Sequence, residues 1–181
     1  PMQATWLLSA GTPVVIPRRF DAIEILATIE REHIATTLMV PTHFIRRLKA
    51  RAEAERSYDT SSIQHVAQTG GGCPEEVKVQ MVEWWGPIFL ETYGGSESGG
   101  VCFSTSSEWL SHIGSVGRTL PHYDALVVDD EGNELPRGSE GKIYFADQTG
   151  RGIRYEDEPE LTAAAHLRPG VFTLGDIGRV D

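Results

Sequence analysis

Hydrophobic positions follow two alternating patterns along the first hundred residues of the chain. Short apolar runs are typical of buried strands, and the stretches between them place apolar residues at helical spacing. The runs predict strands at residues 14–16, 36–40, 63–69 and 88–92. The stretches predict four helices. The first ends near residue 10, the second begins at Asp21, the third begins at Pro41, and the fourth covers residues 75–85. This alternation indicates βαβ units and a mostly parallel sheet with flanking helices.

Residues with strong capping preferences mark the ends of these helices. Gly11 suits a C-terminal cap and Asp21 suits an N-terminal cap. Pro74 and the two glutamates after it suit the first turn of the fourth helix. The charged run at residues 46–56 is predicted to be the solvated face of the third helix.

Helical periodicity is weak in the second half of the chain. Alternating patterns predict strands at residues 124–128 and 142–145, with a hairpin tip and not a metal loop at residues 129–133. We therefore expect an α/β subdomain over residues 1–100. It is followed by a small antiparallel, barrel-like lobe over residues 101–181.

The charge balance and the cysteines exclude several classes of protein. The net charge of −10 argues against nucleic acid or an anionic membrane surface as the main partner. No apolar run in the sequence is long enough for a transmembrane segment. Cys73 and Cys102 are too few for a disulfide framework or a zinc site, which predicts a reducing, cytoplasmic location.

Glycine-rich segments follow two of the predicted strands, at residues 70–73 and 93–96. The carboxyl ends of parallel strands meet at one edge of a sheet, where ligands bind. Tyr93, Ser96 and Glu97 add an aromatic face, a hydroxyl and a carboxylate, which could stack on a base, bind phosphate and hold Mg²⁺. Taken alone, the segment fits equally well an ordinary glycine loop with a packed tyrosine and a solvated glutamate.

The segment Tyr93-Gly-Gly-Ser-Glu97 closely resembles the Tyr-Gly-x-Thr-Glu signature of the adenylate-forming enzymes. That superfamily includes acyl-CoA synthetases, luciferases and the adenylation domains of peptide synthetases. Further landmarks of the superfamily occur in the same order along the chain: Gly71-Gly-Cys-Pro74, residues 114–121, Leu135-Pro136 with Gly138 and Gly141, Tyr155 with Pro159, Glu160 and Thr162, and Gly175-Asp176. The chain is most similar to an acyl-CoA synthetase of the long-chain fatty-acid–CoA ligase type.

Three positions depart from the pattern of the superfamily. Cys73 stands for alanine, a mild change because cysteine behaves as a small apolar residue. Ser96 stands for threonine and keeps the hydroxyl, whereas Leu174 stands for threonine and loses it. A reactive thiolate at Cys73 is less favoured than simple packing, because no histidine or lysine is near it in sequence.

The resemblance implies a nucleotide site built from both glycine-rich segments. Its cofactor-binding positions are Gly71, Gly72, Cys73, Glu91, Thr92, Tyr93, Gly94, Ser96 and Asp176. The first three would line the adenine and acyl side of the pocket, and Glu91 would lie near the adenine amino group. Tyr93 would stack on the adenine, and Asp176 would accept hydrogen bonds from both ribose hydroxyls.

The resemblance also implies the chemistry. Ser96 and Glu97 would be the catalytic residues, with Ser96 on the α-phosphate and Glu97 holding Mg²⁺. The implied ligands are ATP or AMP, Mg²⁺, CoA and a carboxylic acid, expected to be a fatty acid. The alternatives are a peptide-synthetase adenylation domain and a relic of the fold that binds adenosine nucleotides without reacting.

The ends of the chain suggest an internal fragment of a large N-terminal domain. The sequence opens on Pro1-Met2-Gln3-Ala4 within an apolar pattern and stops at Asp181 without a helix cap. The resemblance implies further partners in the same polypeptide: an upstream phosphate loop with its lysine and a downstream lobe with a catalytic lysine. We therefore expect the isolated chain to be inactive.

Overall fold

The computed structural model describes residues 2–181. Pro1, the first residue of the apolar pattern that suggested an internal fragment, lies outside the described residues. The helices are α1 (Met2–Ser9), α2 (Ala22–Glu32), α3 (Pro41–Glu53), α4 (Glu75–Trp85), α5 (Ser106–Ser111) and α6 (Pro159–Ala164). The strands are β1 (Thr36–Met39), β2 (His65–Gln68), β3 (Phe89–Gly95), β4 (Gly99–Thr105), β5 (Arg118–Thr119), β6 (Tyr123–Val128), β7 (Glu140–Asp147), β8 (His166–Arg168), β9 (Val171–Phe172) and β10 (Ile177–Arg179).

The first sheet has the strand order β1-β2-β3-β4-β5. The pairs β1/β2 and β2/β3 are parallel, and the pairs β3/β4 and β4/β5 are antiparallel. The predicted α/β class is confirmed, but the sheet is more mixed than predicted, because β4 folds back on β3 as a hairpin. The sheet therefore continues past residue 100.

The core of the α/β part lies between this sheet and helices α2, α3 and α4. Asp21 caps α2 as predicted, since its Oδ1 accepts a hydrogen bond of 2.9 Å from the Glu24 amide. The apolar stripe of α2 buries Leu26 and Ile29. These side chains share one cluster with Phe44 of α3 and Phe89 of β3, both fully buried.

The predicted strand at residues 14–16 is wrong. These residues have no strand conformation, and the side chain of Ile16 is 74% exposed. An apolar run forms a strand only where a neighbouring strand satisfies its backbone groups. Among the described residues, β1 is the edge of the sheet and pairs only with β2.

The second sheet is antiparallel throughout. Strand β7 is its centre, with β6 on one side and with β9 and β10 on the other, while β8 pairs with β9. The predicted hairpin tip is confirmed, because Asp129 Oδ1 accepts hydrogen bonds from the amides of Glu131 (3.0 Å) and Asn133 (2.8 Å). The described strands do not close into a barrel, so the barrel-like part of the prediction is corrected to an open sheet.

The two sheets share a hydrophobic cluster. Val101 and Cys102 from β4 pack with Phe145 of β7 and Phe172 of β9, and the ring of Tyr93 packs against this cluster. Tyr93, at the glycine-rich end of β3, therefore lies where the two sheets meet. None of the described helices is long and apolar enough to cross a bilayer.

Candidate functional site

Strands β2 and β3 bring the glycine-rich segments together. They are parallel neighbours, with Gln68 opposite Glu91, so the segment after β2 lies beside the end of β3. Gly70 (φ 78°) and Gly71 (φ 138°) have backbone conformations that favour glycine. The sequence predicted this juxtaposition at one edge of the sheet, and the structure has it.

The Tyr93–Glu97 motif forms the end of a β-hairpin. Strand β3 runs to Gly95, beyond its predicted end, and the turn at residues 96–98 leads into β4. The Gly95 amide donates a hydrogen bond of 3.1 Å to Ser98 Oγ, so this amide is already used within the turn. Ser96, Glu97 and Gly94 are exposed at this tip.

Asp176 and Tyr93 meet although they are far apart in sequence. The Tyr93 hydroxyl donates a hydrogen bond to Asp176 Oδ2, and the Tyr93 ring lies 6.0 Å from that of Phe145. Burial and the bond to Asp176 raise the pKa of Tyr93 above its usual range. The phenol therefore stays protonated at neutral pH and remains a donor to the carboxylate.

The turn before Asp176 is held by a residue that the sequence did not single out. The Thr173 hydroxyl donates to the Ile143 carbonyl (2.7 Å) and accepts from the Gly175 amide (3.0 Å). Leu174, which replaces the threonine of the superfamily, packs against the hydrophobic cluster between the sheets.

Glu97 lies against a residue from the second half of the chain. Its Oε1 accepts a hydrogen bond of 3.2 Å from the Tyr155 hydroxyl. Tyr155 is fixed in turn by Thr162, whose hydroxyl accepts a 2.9 Å bond from the Tyr155 amide. Burial and the bond to Glu97 raise the pKa of Tyr155, so it too stays a donor at neutral pH. Tyr155 and Thr162 were landmarks of the resemblance, but the sequence did not indicate this contact.

The partly buried Glu91 side chain is bonded to two residues of the interior. Its Oε2 pairs with the ammonium of Lys78, and its Oε1 accepts a 2.9 Å bond from Gln68 Nε2. Both Lys78 and Gln68 are buried, and no sequence signal singled them out. The Glu91 carboxylate is thus already bonded on both oxygens.

The remaining predicted positions differ in exposure. Gly71 and Gly72 are exposed, whereas Thr92 is half-buried with its Cγ2 over Gly100 across the hairpin. Among the described residues, no group of three or more His, Cys, Asp or Glu side chains could hold a metal ion. A cation at Glu97 would therefore take most of its ligands from phosphate or water.

Cys73 is half-buried, and burial raises the pKa of its thiol to about 11. This favours the packing role that the sequence indicated over a reactive thiolate.

We expect Cys73 to react slowly with iodoacetamide at neutral pH. Because only the thiolate is nucleophilic, the rate should rise about tenfold per pH unit from pH 7 to pH 10 without levelling off. Peptide mass spectrometry separates Cys73 from Cys102, the other cysteine. A plateau of the Cys73 rate below pH 9 would show an activated thiolate and contradict this prediction.

The chain matches one protein family and has relatives among the CoA ligases. Residues 2–151 match the family model described as AMP-binding enzyme. The human mitochondrial acyl-coenzyme A synthetase ACSM5 is 34% identical over 190 residues, covering 99% of this chain and 32% of that protein. Indoleacetate–CoA ligase of Aromatoleum aromaticum is 30% identical over 180 residues, covering 99% of this chain and 34% of that protein.

Solved structures share the fold of this chain. The amide bond synthetase McbA from Marinactinospora thermotolerans superposes with a TM-score of 0.84 at 28% identity, over 99% of this chain and 36% of that chain. The chain spans about a third of the length of the curated relatives it matches. Because the family model covers most of its residues, the chain belongs to the AMP-binding enzyme family.

Proposed function

We propose that this chain is the central part of the large domain of an ATP-dependent acid–thiol ligase, an acyl-CoA synthetase. The observation that carries the proposal is the meeting of Asp176 with Tyr93 on β3, the parallel neighbour of the strand that leads into the other glycine-rich segment. This arrangement offers an aromatic face, a carboxylate with two acceptor oxygens and exposed main chain to one nucleotide. Membership of the AMP-binding family and the relatives named as CoA ligases support it.

In this proposal the two glycine-rich segments bind ATP. Gly71, Gly72 and Cys73 line the adenine and acyl side, with Glu91, Thr92 and Gly94 completing the wall. Tyr93 stacks on the adenine, and Asp176 accepts hydrogen bonds from the ribose hydroxyls. Ser96, exposed at the hairpin tip, donates its hydroxyl to the α-phosphate.

The proposed reaction has two steps. A substrate carboxylate oxygen attacks the α-phosphorus of ATP, and pyrophosphate leaves, which gives an acyl-adenylate. The sulfur of CoA then attacks the acyl carbon, and AMP leaves as the thioester forms. The protein contributes positioning and charge stabilisation, so no nucleophilic side chain is required.

Glu97 is the proposed ligand for Mg²⁺. Its carboxylate is exposed, and Tyr155 occupies one oxygen while the other makes no hydrogen bond to a described residue. One carboxylate with phosphate oxygens and waters suits Mg²⁺, which keeps several waters in most protein sites. When bound, Mg²⁺ would neutralise charge on the phosphates.

We propose a fatty acid as the substrate, with an aryl acid as the alternative. One relative is named for acyl groups and another for indoleacetate, so the class of acid is not fixed by relatedness. The alternative acceptors are a carrier protein and, because one similar structure is an amide bond synthetase, an amine. A cytoplasmic location stays a prediction, since the first relative is mitochondrial by name.

The test is pyrophosphate exchange by the full-length protein that contains this chain, against a panel of fatty, aryl and amino acids. Exchange with a fatty or aryl acid is the expected result. Exchange with amino acids alone would favour a peptide-synthetase adenylation domain. A folded protein that binds ATP and exchanges with no acid would be a non-catalytic relic. We expect no exchange from the 181 residues alone.

A further inference from the structure

A buried ion pair lies directly beneath the glycine-rich edge of the first sheet. Lys78 of α4 is only 2% exposed, and its ammonium pairs with Glu91 near the middle of β3. The ammonium also lies 4.2 Å from the centre of the Trp109 ring. Burying an ammonium is costly unless it is paired, so Glu91 compensates this charge and Lys78 compensates that of Glu91.

The ion pair is continuous with the glycine-rich segment after β2. Glu91 Oε1 accepts from Gln68 Nε2 at 2.9 Å, and the same nitrogen lies 3.4 Å from the Gly71 carbonyl oxygen. Gln68 is the last residue of β2 and is 1% exposed. The polar network therefore links α4, β3 and β2 to the main chain of Gly71.

The position of the network suggests a role beyond stability. Glu91 is two residues before Tyr93, and Lys78 is on the helix that begins after residues 70–73. Both segments proposed to bind the nucleotide are thus attached to the same ion pair. Without Lys78, an unpaired carboxylate would remain close to a site for a polyanion, where like charges repel.

We propose that Lys78 is a positioning residue of the nucleotide site. It acts through Glu91 and Gln68 on the main chain of residues 70–73 and on Tyr93, and it touches neither ATP nor the acid. The Glu91 carboxylate is bonded to Lys78 and Gln68 in the interior. Only the main chain of Glu91 therefore faces the adenine. This inference rests on the proposed function.

The test uses the full-length protein and compares Lys78→Met, Glu91→Gln and the double variant. We expect Lys78→Met to raise KM for ATP and the ATP dissociation constant from calorimetry about tenfold or more, with a smaller change in kcat. The double variant removes both charges and keeps an amide oxygen for Gln68. It should return to within about threefold of the Glu91→Gln variant.

Lys49→Met is the matched control. Lys49 also forms an ion pair with a glutamate, Glu53 at 3.9 Å, but its side chain is 72% exposed. It should bind ATP like the wild type, since exposed pairs contribute little. If Lys78→Met does not fold, the double variant and Lys78→Arg, which keeps the charge, are compared with the wild type instead.

Several outcomes would overturn the inference. One is an unchanged affinity for ATP in a folded Lys78→Met variant, and another is a double variant that binds no better than Lys78→Met. If Lys78→Met does not fold, a Lys78→Arg variant that binds ATP more weakly than the double variant would also overturn the inference. A large loss of preference for ATP over ITP in Glu91→Gln would show that the carboxylate reads the adenine. Failure of the wild type to bind ATP would instead refute the proposed function.

Discussion

Replacing Gly94 with alanine is expected to abolish the proposed nucleotide binding and to destabilise the hairpin that carries the proposed site. A Cβ at Gly94 would lie 1.9 Å from the Gly99 carbonyl oxygen and 2.9 Å from the Gly100 Cα. Both atoms belong to backbone, so no side-chain rotation can relieve the overlap. Strands β3 and β4 would have to separate where they are paired, next to the irregularity between Tyr93 and Gly94.

We expect Gly94→Ala to lower the free energy of unfolding by about 3 kcal/mol or more. Urea unfolding and ATP calorimetry on the full-length protein measure the two effects. Gly72→Ala is the control for stability, because a Cβ there would meet no atom within 4 Å. A Gly94→Ala variant with the stability and ATP affinity of the wild type would mean that the two strands are not packed closely at this point.

The sequence predicted the structure best where a local motif and the order of strands and helices indicate the same arrangement. The glycine-rich segments were predicted at one edge of the sheet because each follows an apolar strand within a βαβ pattern. The structure pairs Gln68 with Glu91 in neighbouring parallel strands, as this pattern requires. The same kind of reasoning failed at residues 14–16, because a strand also depends on a partner that no local pattern specifies.

Contacts between residues that are distant in sequence were also not predicted. The contact between Tyr155 and Glu97 joins residues 58 positions apart, and that between Tyr93 and Asp176 joins residues 83 apart. No periodicity encodes such pairs. The resemblance to a superfamily placed Glu97 and Asp176 in one site, but it did not indicate that tyrosine hydroxyls hold both carboxylates.

The charged run of α3 is not solvated along its whole length. Residues 46–56 were predicted to be a solvated face, yet Arg47 is 2% exposed, and its Nε and Nη1 have no hydrogen-bond partner among the described residues. Its guanidinium lies 5.6 Å from the centre of the Phe20 ring, and burial lowers the pKa of Arg47 to about 10. Arginine occupies a position on the same helix face as Phe44, where periodicity alone predicts an apolar residue.

The second large effect is expected from Glu97→Gln, which removes one charge and keeps the shape of the side chain. The amide oxygen can still accept the hydrogen bond of Tyr155, so the hairpin tip should stay in place. If Glu97 holds Mg²⁺ on the phosphates, the loss of its charge should lower adenylation about 100-fold or more. The Mg²⁺ concentration that gives half of the maximal exchange rate should rise as well.

The measurement is pyrophosphate exchange by the full-length protein across a range of Mg²⁺ concentrations, with thermal unfolding as a check of the fold. Glu131→Gln makes the same change on an exposed hairpin tip of the second sheet and should leave exchange unaltered. Tyr155→Phe removes the donor but keeps the carboxylate, so its loss should be smaller than that of Glu97→Gln. If Glu97→Gln kept wild-type exchange at every Mg²⁺ concentration, the charge of Glu97 would serve the hairpin and not the metal.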